Sequence, residues 1–317
     1  RIWPRVLADV RQGHTALTLL GEPFVHPVLL GPLAYQSALH RDGELATAEA
    51  ATAMDAGMVL STLSSCSLEA VAAELPARKW FQLYFQARAE DTLRLVRRAE
   101  GSGYSALVVT VDVPVHGPRL RSQQAGFAMP EHVRAVNLAG MSAAQTHYLQ
   151  AQDSVIFQGQ MASAPRWDSI VWLQQQTALP IILKGILHPQ DAVLAKKLGV
   201  AGVVVSNHGG RALEGGPASI AVLPQVRAAV GDDFLLLLDG GVRRGSDIFK
   251  ALALGAQAVL LGRPQAYGLG AAGAFGVAQV LRLLREELEL TMALAGCATL
   301  ADISAACLVN PNEFSAC

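Results

Sequence analysis

Eight short apolar runs, most of them separated by a stretch of helical length, constrain this chain more than any other feature. They are 27–32 (PVLLGP), 57–62 (GMVLST), 80–85 (WFQLYF), 106–112 (ALVVTVD), 180–185 (PIILKG), 202–207 (GVVVSN), 234–239 (FLLLLD) and 258–262 (AVLLG). The runs are continuous rather than alternating, as in strands buried on both faces. Between them lie Ala/Leu/Glu-rich stretches such as 44–56, 90–101, 189–198 and 245–254. Eight buried strands with helical crossovers predict a single α/β domain, a (β/α)8 TIM barrel spanning residues 1–317. An open doubly wound sheet is the alternative, and it usually has fewer strands. The polar interval 123–165 predicts a long loop after the fourth strand, and loops of that length are commonly functional or disordered.

Composition excludes several function classes. Formal net charge is −1 with acidic and basic residues interleaved, so neither a nucleic-acid footprint nor a polybasic membrane anchor is visible. Cys66, Cys297, Cys307 and Cys317 are scattered with no CxxC pair, so no metal centre and no disulfide framework are expected, and a cytoplasmic location is. No uninterrupted apolar run reaches the roughly 18 residues of a membrane helix.

Active sites of such barrels form at the C-terminal ends of the strands. Polar groups collect there: Gln82 and Tyr84, Thr110 and Asp112, Lys184, then Ser206, Asn207 and His208 followed by Arg211, and Asp239 with Gly240 and Gly241. The segments DGGVRRG (239–245) and GRP (262–264) stand where barrels commonly hold a phosphate on glycine amides and a helix N-terminus. Arg243 and Arg263 add bidentate donors there; the plainer reading is two glycine turns with solvated arginines. His208 is the candidate base, with a carboxylate such as Asp112 to orient it. Arg119 and Arg211 are candidates to clamp a substrate carboxylate. Lys184, at the end of an apolar strand, needs an anionic partner.

SNHGGRALEGGPASI (206–220), LDGGVRRGSDIFKALALGAQAVLLGRP (238–264), LPIILKGI (179–186), LVVTVDVPVHGPRLR (107–121), WFQLYF and HRDGELATAEAA (40–51) resemble the FMN-dependent α-hydroxy-acid oxidases and dehydrogenases. The resemblance covers nearly the whole chain in order. It implies FMN as cofactor, oxidation of an L-2-hydroxy acid to the 2-oxo acid, and a homotetramer or octamer. It implies His208 as base with Asp112 on its far nitrogen, Arg119 and Arg211 on the substrate carboxylate, and Tyr84 on the substrate oxygen. Ser61, Gln82, Thr110, Lys184 and Ser206 would bind the flavin ring region, with Ala34 near N5. Asp239, Gly241, Arg243, Gly262 and Arg263 would hold the ribityl chain and phosphate.

Departures from the family pattern bear on the substrate. Members carry an N-terminal segment with a tyrosine that lines the site, and this chain begins past it at RIWPRVLADV, so that segment is expected to be missing from the sequence in hand. Leu63 stands where several members have an aromatic residue, and Tyr35 follows Ala34 where smaller residues are common. Together they predict a substrate bulkier than glycolate, aryl or long aliphatic. Oxygen is the favoured electron acceptor; a quinone- or carrier-linked dehydrogenase, a catalytically decayed flavin-binding module and a different FMN- or phosphate-binding barrel, such as an isomerase or a nucleotide dehydrogenase, are the competing readings.

Overall fold

Strands covered on both faces need helices outside and side chains inside, and the chain supplies both. A computed structural model describes every residue except 116, 118–119, 143–147 and 310–317. A small antiparallel hairpin of β1 (Leu17–Leu19) and β2 (Glu22–Phe24) comes first. The barrel follows as β3 (Val28–Leu30), β4 (Gly57–Ser61), β5 (Lys79–Leu83), β6 (Ala106–Thr110), β7 (Ile181–Ile186), β8 (Gly202–Val205), β9 (Leu235–Asp239) and β10 (Ala258–Leu261). Every neighbouring pair is parallel, and β10 pairs with β3 to close the ring. The helices are α1 (Gly43–Ala53), α2 (Leu68–Glu74), α3 (Ala89–Gly101), α4 (Leu120–Gln124), α5 (Trp167–Gln174), α6 (Pro189–Lys197), α7 (Ser219–Val230), α8 (Gly245–Ala253) and α9 (Arg263–Ala295).

Leu29, Val59, Trp80, Val108, Ile182, Val204, Leu237 and Leu260 fill the barrel interior. Their strand neighbours, among them Leu30, Met58, Phe81, Val109 and Leu183, belong to the outer core between sheet and helices. That double burial explains the continuous apolar runs. Six of the eight strands end sooner than their runs; after β5, Tyr84 N donates to the Thr62 hydroxyl at 3.1 Å, so it leaves the strand ladder.

The hairpin, which has no signature in the sequence, belongs to the floor of the barrel. Leu19 and Phe24 join the interior cluster, and the Phe24 ring meets Trp80 edge-on at 6.3 Å. A Cβ on Gly57 would lie 2.7 Å from Phe24, so this position has no room for a side chain. With the floor sealed, the opposite mouth is left for a site.

The described residues of the 123–165 segment are not structureless. The segment holds short helical turns at Val136–Leu138 and Val155–Gln160, and its base is pinned by the buried Asn137. Asn137 Oδ1 accepts from Leu68 N at 2.9 Å and Arg98 Nη2 at 3.0 Å, while its Nδ2 donates to Cys66 O at 3.1 Å.

Helix α9 is long and apolar enough by length and composition to cross a membrane. It is broken at Ala272–Gly273, where Gly273 adopts φ 57°, and Leu281, Leu284, Leu288 and Met292 are buried in the outer core. Those two features make it a barrel helix.

Burial sets a pH dependence on the floor. His26 is buried, its Nε2 has no partner, and desolvation, with Arg285 nearby, lowers its pKa to about 4. The folded protein therefore resists protonating His26. Its contribution to stability is full above the ordinary histidine value of 6.5 and is lost as pH falls from there towards 4. The loss by pH 4.5 is about 2–3 kcal/mol. Urea unfolding at pH 7 and 4.5 should show His26→Asn losing less stability than the parent by that amount; equal losses would contradict the assignment.

Candidate active site

The C-terminal mouth gathers most of the described residues picked out from the sequence. Lys184, at the end of β7, is 4% exposed and lies 2.5 Å from Asp239 Oδ2 at the end of β9. The Ser206 hydroxyl between them accepts from Lys184 Nζ at 3.1 Å and from His208 N at 3.0 Å, and donates to Asp239 Oδ2 at 2.8 Å. One hydroxyl thus uses its donor and both acceptor sites. Burial alone would raise the Asp239 carboxyl, but the Lys184 ammonium and the Ser206 hydroxyl outweigh it, and the pKa lies below the ordinary value. Asp239 supplies Lys184 with a carboxylate partner from the protein itself, because β7 and β9 flank β8 on the same ring.

His208 sits just beyond β8 in a left-handed conformation, φ 57°. Its Nδ1 lies 2.9 Å from Asp112 Oδ1, beyond the end of β6 and 96 residues away in sequence. Asp112 is 7% exposed on its side chain and His208 23%. With Nδ1 occupied, Nε2 is the nitrogen available to a substrate. Gly185 makes room for this pair: a Cβ there would fall 2.4 Å from Asp112 Cβ, and its φ is 110°.

Gln82 and Ser61 meet across β4 and β5. Gln82 Oε1 accepts from Thr62 N at 3.1 Å and Ser61 Oγ at 3.3 Å. Its Nε2 is buried with no protein partner. A buried unpaired amide donor at a barrel mouth calls for an acceptor, and the carbonyl and nitrogen edge of a flavin has them.

Ala34 and Tyr35 occupy the loop after β3, and Tyr35 N donates to Leu63 O at 3.0 Å, bringing the two expected pocket walls together. What holds them is Glu44, to which no role was assigned from the sequence. This fully buried carboxylate in the first turn of α1 accepts from Gln36 N at 3.1 Å, Ser65 N at 3.0 Å and Ser65 Oγ at 2.8 Å. An acid in a first helical turn ordinarily reads as a solvated dipole partner, so the latch was hidden. Glu44→Ala strands buried donors and should cost about 2–4 kcal/mol. It should also raise KM more than it lowers kcat, because the walls lose their anchor; urea unfolding and steady-state kinetics check both, and unchanged values would refute the latch.

The glycine segments form a cleft lined by Gly209, Gly240, Gly241, Arg243, Gly262 and Arg263. Open space lies where a Cβ would stand at Gly241 and Gly262, and Gly241 has φ 81°. Arg263 Nη2 donates to Gly209 O at 3.1 Å, and the N-terminus of α9 opens here. The Arg243 guanidinium lies 6.0 Å from the Tyr267 ring centroid. The amides of Arg243 and Arg244 are already bonded to Asp247 Oδ2, each at 3.1 Å, so an anion must use other donors. A helix N-terminus, open glycines and two arginines fit a phosphate. Together with the orphaned Gln82 amide they fit FMN.

Tyr84 and Thr110 line a cavity of about 280 Å³ under Gln160 and Pro165 of the 123–165 segment. Arg211 is exposed on the loop after β8, its N–H bonded to Asn207 O at 3.3 Å. Arg119 lies outside the described residues. Two further residues shape this loop: Asn207 Oδ1 accepts from Gly210 N at 3.0 Å, and Ser219 Oγ accepts from Asn207 N at 3.2 Å.

The chain is similar to known proteins over nearly its whole length. Residues 1–310 match the model of the FMN-dependent dehydrogenase family. The chain is 52% identical over 303 residues to an L-lactate oxidase of Alicycliphilus denitrificans, covering 96% of this chain and 83% of that one. It is 42% identical over 313 residues to glycolate oxidase 1 of Zea mays, covering 98% and 84%. A mandelate oxidase solved with (S)-2-phenylpropionate superposes with a TM-score of 0.85 at 43% identity, covering 95% and 83%. The chain belongs to the FMN-dependent dehydrogenase family, and it is an FMN-dependent oxidoreductase that acts on 2-hydroxy acids.

Proposed function

We propose that this protein oxidises an L-2-hydroxy acid bulkier than glycolate, aryl or long aliphatic, to the 2-oxo acid, with oxygen as the final acceptor. The observation that carries the reading is the His208–Asp112 pair at 2.9 Å beside the Lys184–Asp239 pair at 2.5 Å. Bound FMN supplies the two-electron acceptor for the substrate α-carbon. His208 Nε2 takes the substrate hydroxyl proton, and Asp112 holds the ring and stabilises the charge it acquires. Arg211, with Arg119, binds the carboxylate, and Tyr84 hydrogen-bonds the substrate oxygen. Ala34, Ser61, Gln82, Thr110 and Lys184 hold the flavin ring; Gly241, Arg243, Gly262 and Arg263 hold its phosphate. Asp239 Oδ2 is already bonded to Lys184 and Ser206, which leaves Oδ1 for a ribityl hydroxyl.

A decayed flavin-binding module would have no reason to keep both buried pairs. Relatives named as lactate, glycolate and mandelate oxidases support oxygen over a quinone or carrier protein. The half-buried Leu63 beside Tyr35 supports a roomy pocket. The same reading makes residues 1–317 one domain of a cytoplasmic homotetramer or octamer. The exposed Phe275, Leu290 and Leu294 on α9 are apolar surface that another copy would cover.

One methylene in an apolar pocket is worth roughly 1–3 kcal/mol. Mandelate or 2-hydroxyoctanoate should therefore exceed glycolate in kcat/KM by more than about tenfold, and Leu63→Trp should narrow the gap. A second reading, lactate as preferred substrate, is favoured by the 52% identity to a lactate oxidase. A kcat/KM panel of glycolate, lactate, mandelate and 2-hydroxyoctanoate under air separates them. Lactate ahead of both larger acids supports the second reading, and glycolate ahead of all three refutes both.

A further inference from the structure

Two of the scattered cysteines come together on the face opposite the mouth. Cys297 follows Gly296, the C-cap of α9, and Cys307 ends the turn Ala305–Cys307. Their sulfurs lie 3.8 Å apart, and each also points at the Asp302 carbonyl oxygen at 3.6 Å. Both are free thiols; Cys297 is buried and Cys307 is partly exposed. N-terminal residues bond to the same region. Trp3 N donates to Cys307 O at 2.9 Å, Ile2 bridges Leu308, and Arg5 N donates to Leu294 O at 3.0 Å at the end of α9.

We propose that Cys297 and Cys307 form a dithiol modification site, converted by a peroxide to a disulfide that staples the C-terminal segment to the end of α9. The sulfurs need to close from 3.8 Å to about 2.05 Å to bond. Cys307, the more exposed sulfur, meets the oxidant first. Its thiolate attacks one peroxide oxygen, the O–O bond breaks, and hydroxide leaves a sulfenic acid on Cys307. Cys297 then attacks that sulfur, its proton leaves with the departing oxygen as water, and the S–S bond forms. Two sulfurs lose one electron each, and one peroxide is reduced to two waters. Burial and the neighbouring thiol push Cys297 up to about 12, so the reaction is slow and the dithiol persists without an oxidant. Nothing in the step requires the enzyme's own turnover, so it stands apart from the substrate reading.

The holoenzyme is incubated with hydrogen peroxide at neutral pH, and thiols are counted after denaturation. Two of the four thiols should disappear, with a mass loss of about 2 Da restored by dithiothreitol. No Lys or Arg lies between the two cysteines, so cleavage before Asp302 rather than by trypsin should yield linked peptides joining Cys297 to Cys307. The oxidised protein should melt about 3–5 °C higher, as closing a short loop predicts. Activity should be unchanged, since the pair is remote from the mouth. Cys307→Ser should abolish the linkage, and Cys317→Ser should leave it intact. Four surviving thiols, oxidation that stops at sulfinic acid, or a linkage through Cys66 or Cys317 would each overturn the proposal.

Discussion

His208→Ala is expected to lose at least about a hundredfold, and up to about ten-thousandfold, of the rate of flavin reduction by substrate. The base is the only group in the reading that takes a proton, and its ring is held through Nδ1 by Asp112 Oδ1 at 2.9 Å. Flavin content should be retained, because the cofactor residues Ser61, Gln82 and Thr110 lie on other strands. A substrate-like carboxylate should still bind through Arg211. Asp112→Asn keeps the shape and loses the charge, so it should fall between parent and His208→Ala. Stopped-flow reduction under nitrogen measures all three. A rate in His208→Ala within a few-fold of the parent would remove the base assignment.

The second large effect concerns the buried pair of Lys184 and Asp239. Lys184→Met keeps the volume but leaves Asp239 without its ammonium, and breaking a buried ion pair from one side typically costs about 3–5 kcal/mol. Asp239→Asn alone leaves Lys184 buried and uncompensated. The double variant removes both charges and should recover part of the loss, giving a coupling of about 2–3 kcal/mol in urea unfolding. Reduction rate should also fall about a hundredfold to a thousandfold in Lys184→Met, the usual loss when a fixed charge beside a developing anion is removed. Because Asp239 is held below its ordinary value of 3.8, its contribution to stability is complete above that value and is lost as pH falls through the lowered one. Additive single effects would show that the two groups do not act as a pair.

How much of this was legible depended on where the physics leaves a mark on one strand at a time. The eight barrel strands were readable because burial on both faces leaves no polar positions to interrupt them. His208 and Asp112 were readable as strand-end residues although 96 positions separate them, since a barrel brings every strand end to one mouth. The floor hairpin was not, because Leu17–Leu19 and Glu22–Phe24 are three residues each and one contains a proline. Glu44 was hidden by its helix position, and the Cys297–Cys307 contact by the turn between them. For Lys184 the need for an anionic partner was legible, but its carboxylate partner Asp239 was not, because the pairing across β8 exists only in the closed ring.

The central claim is that the mouth holds FMN and passes to it two electrons from a 2-hydroxy acid. Its most direct test is anaerobic mixing of the yellow holoprotein with L-lactate, mandelate, 2-hydroxyoctanoate and glycolate in turn, followed through the flavin absorbance, with the cofactor then released and identified. Bleaching by at least one acid, abolished in His208→Ala, with FMN as the released cofactor, is the predicted result. A bound flavin that none of the acids reduces, or a released cofactor that is FAD, would contradict it.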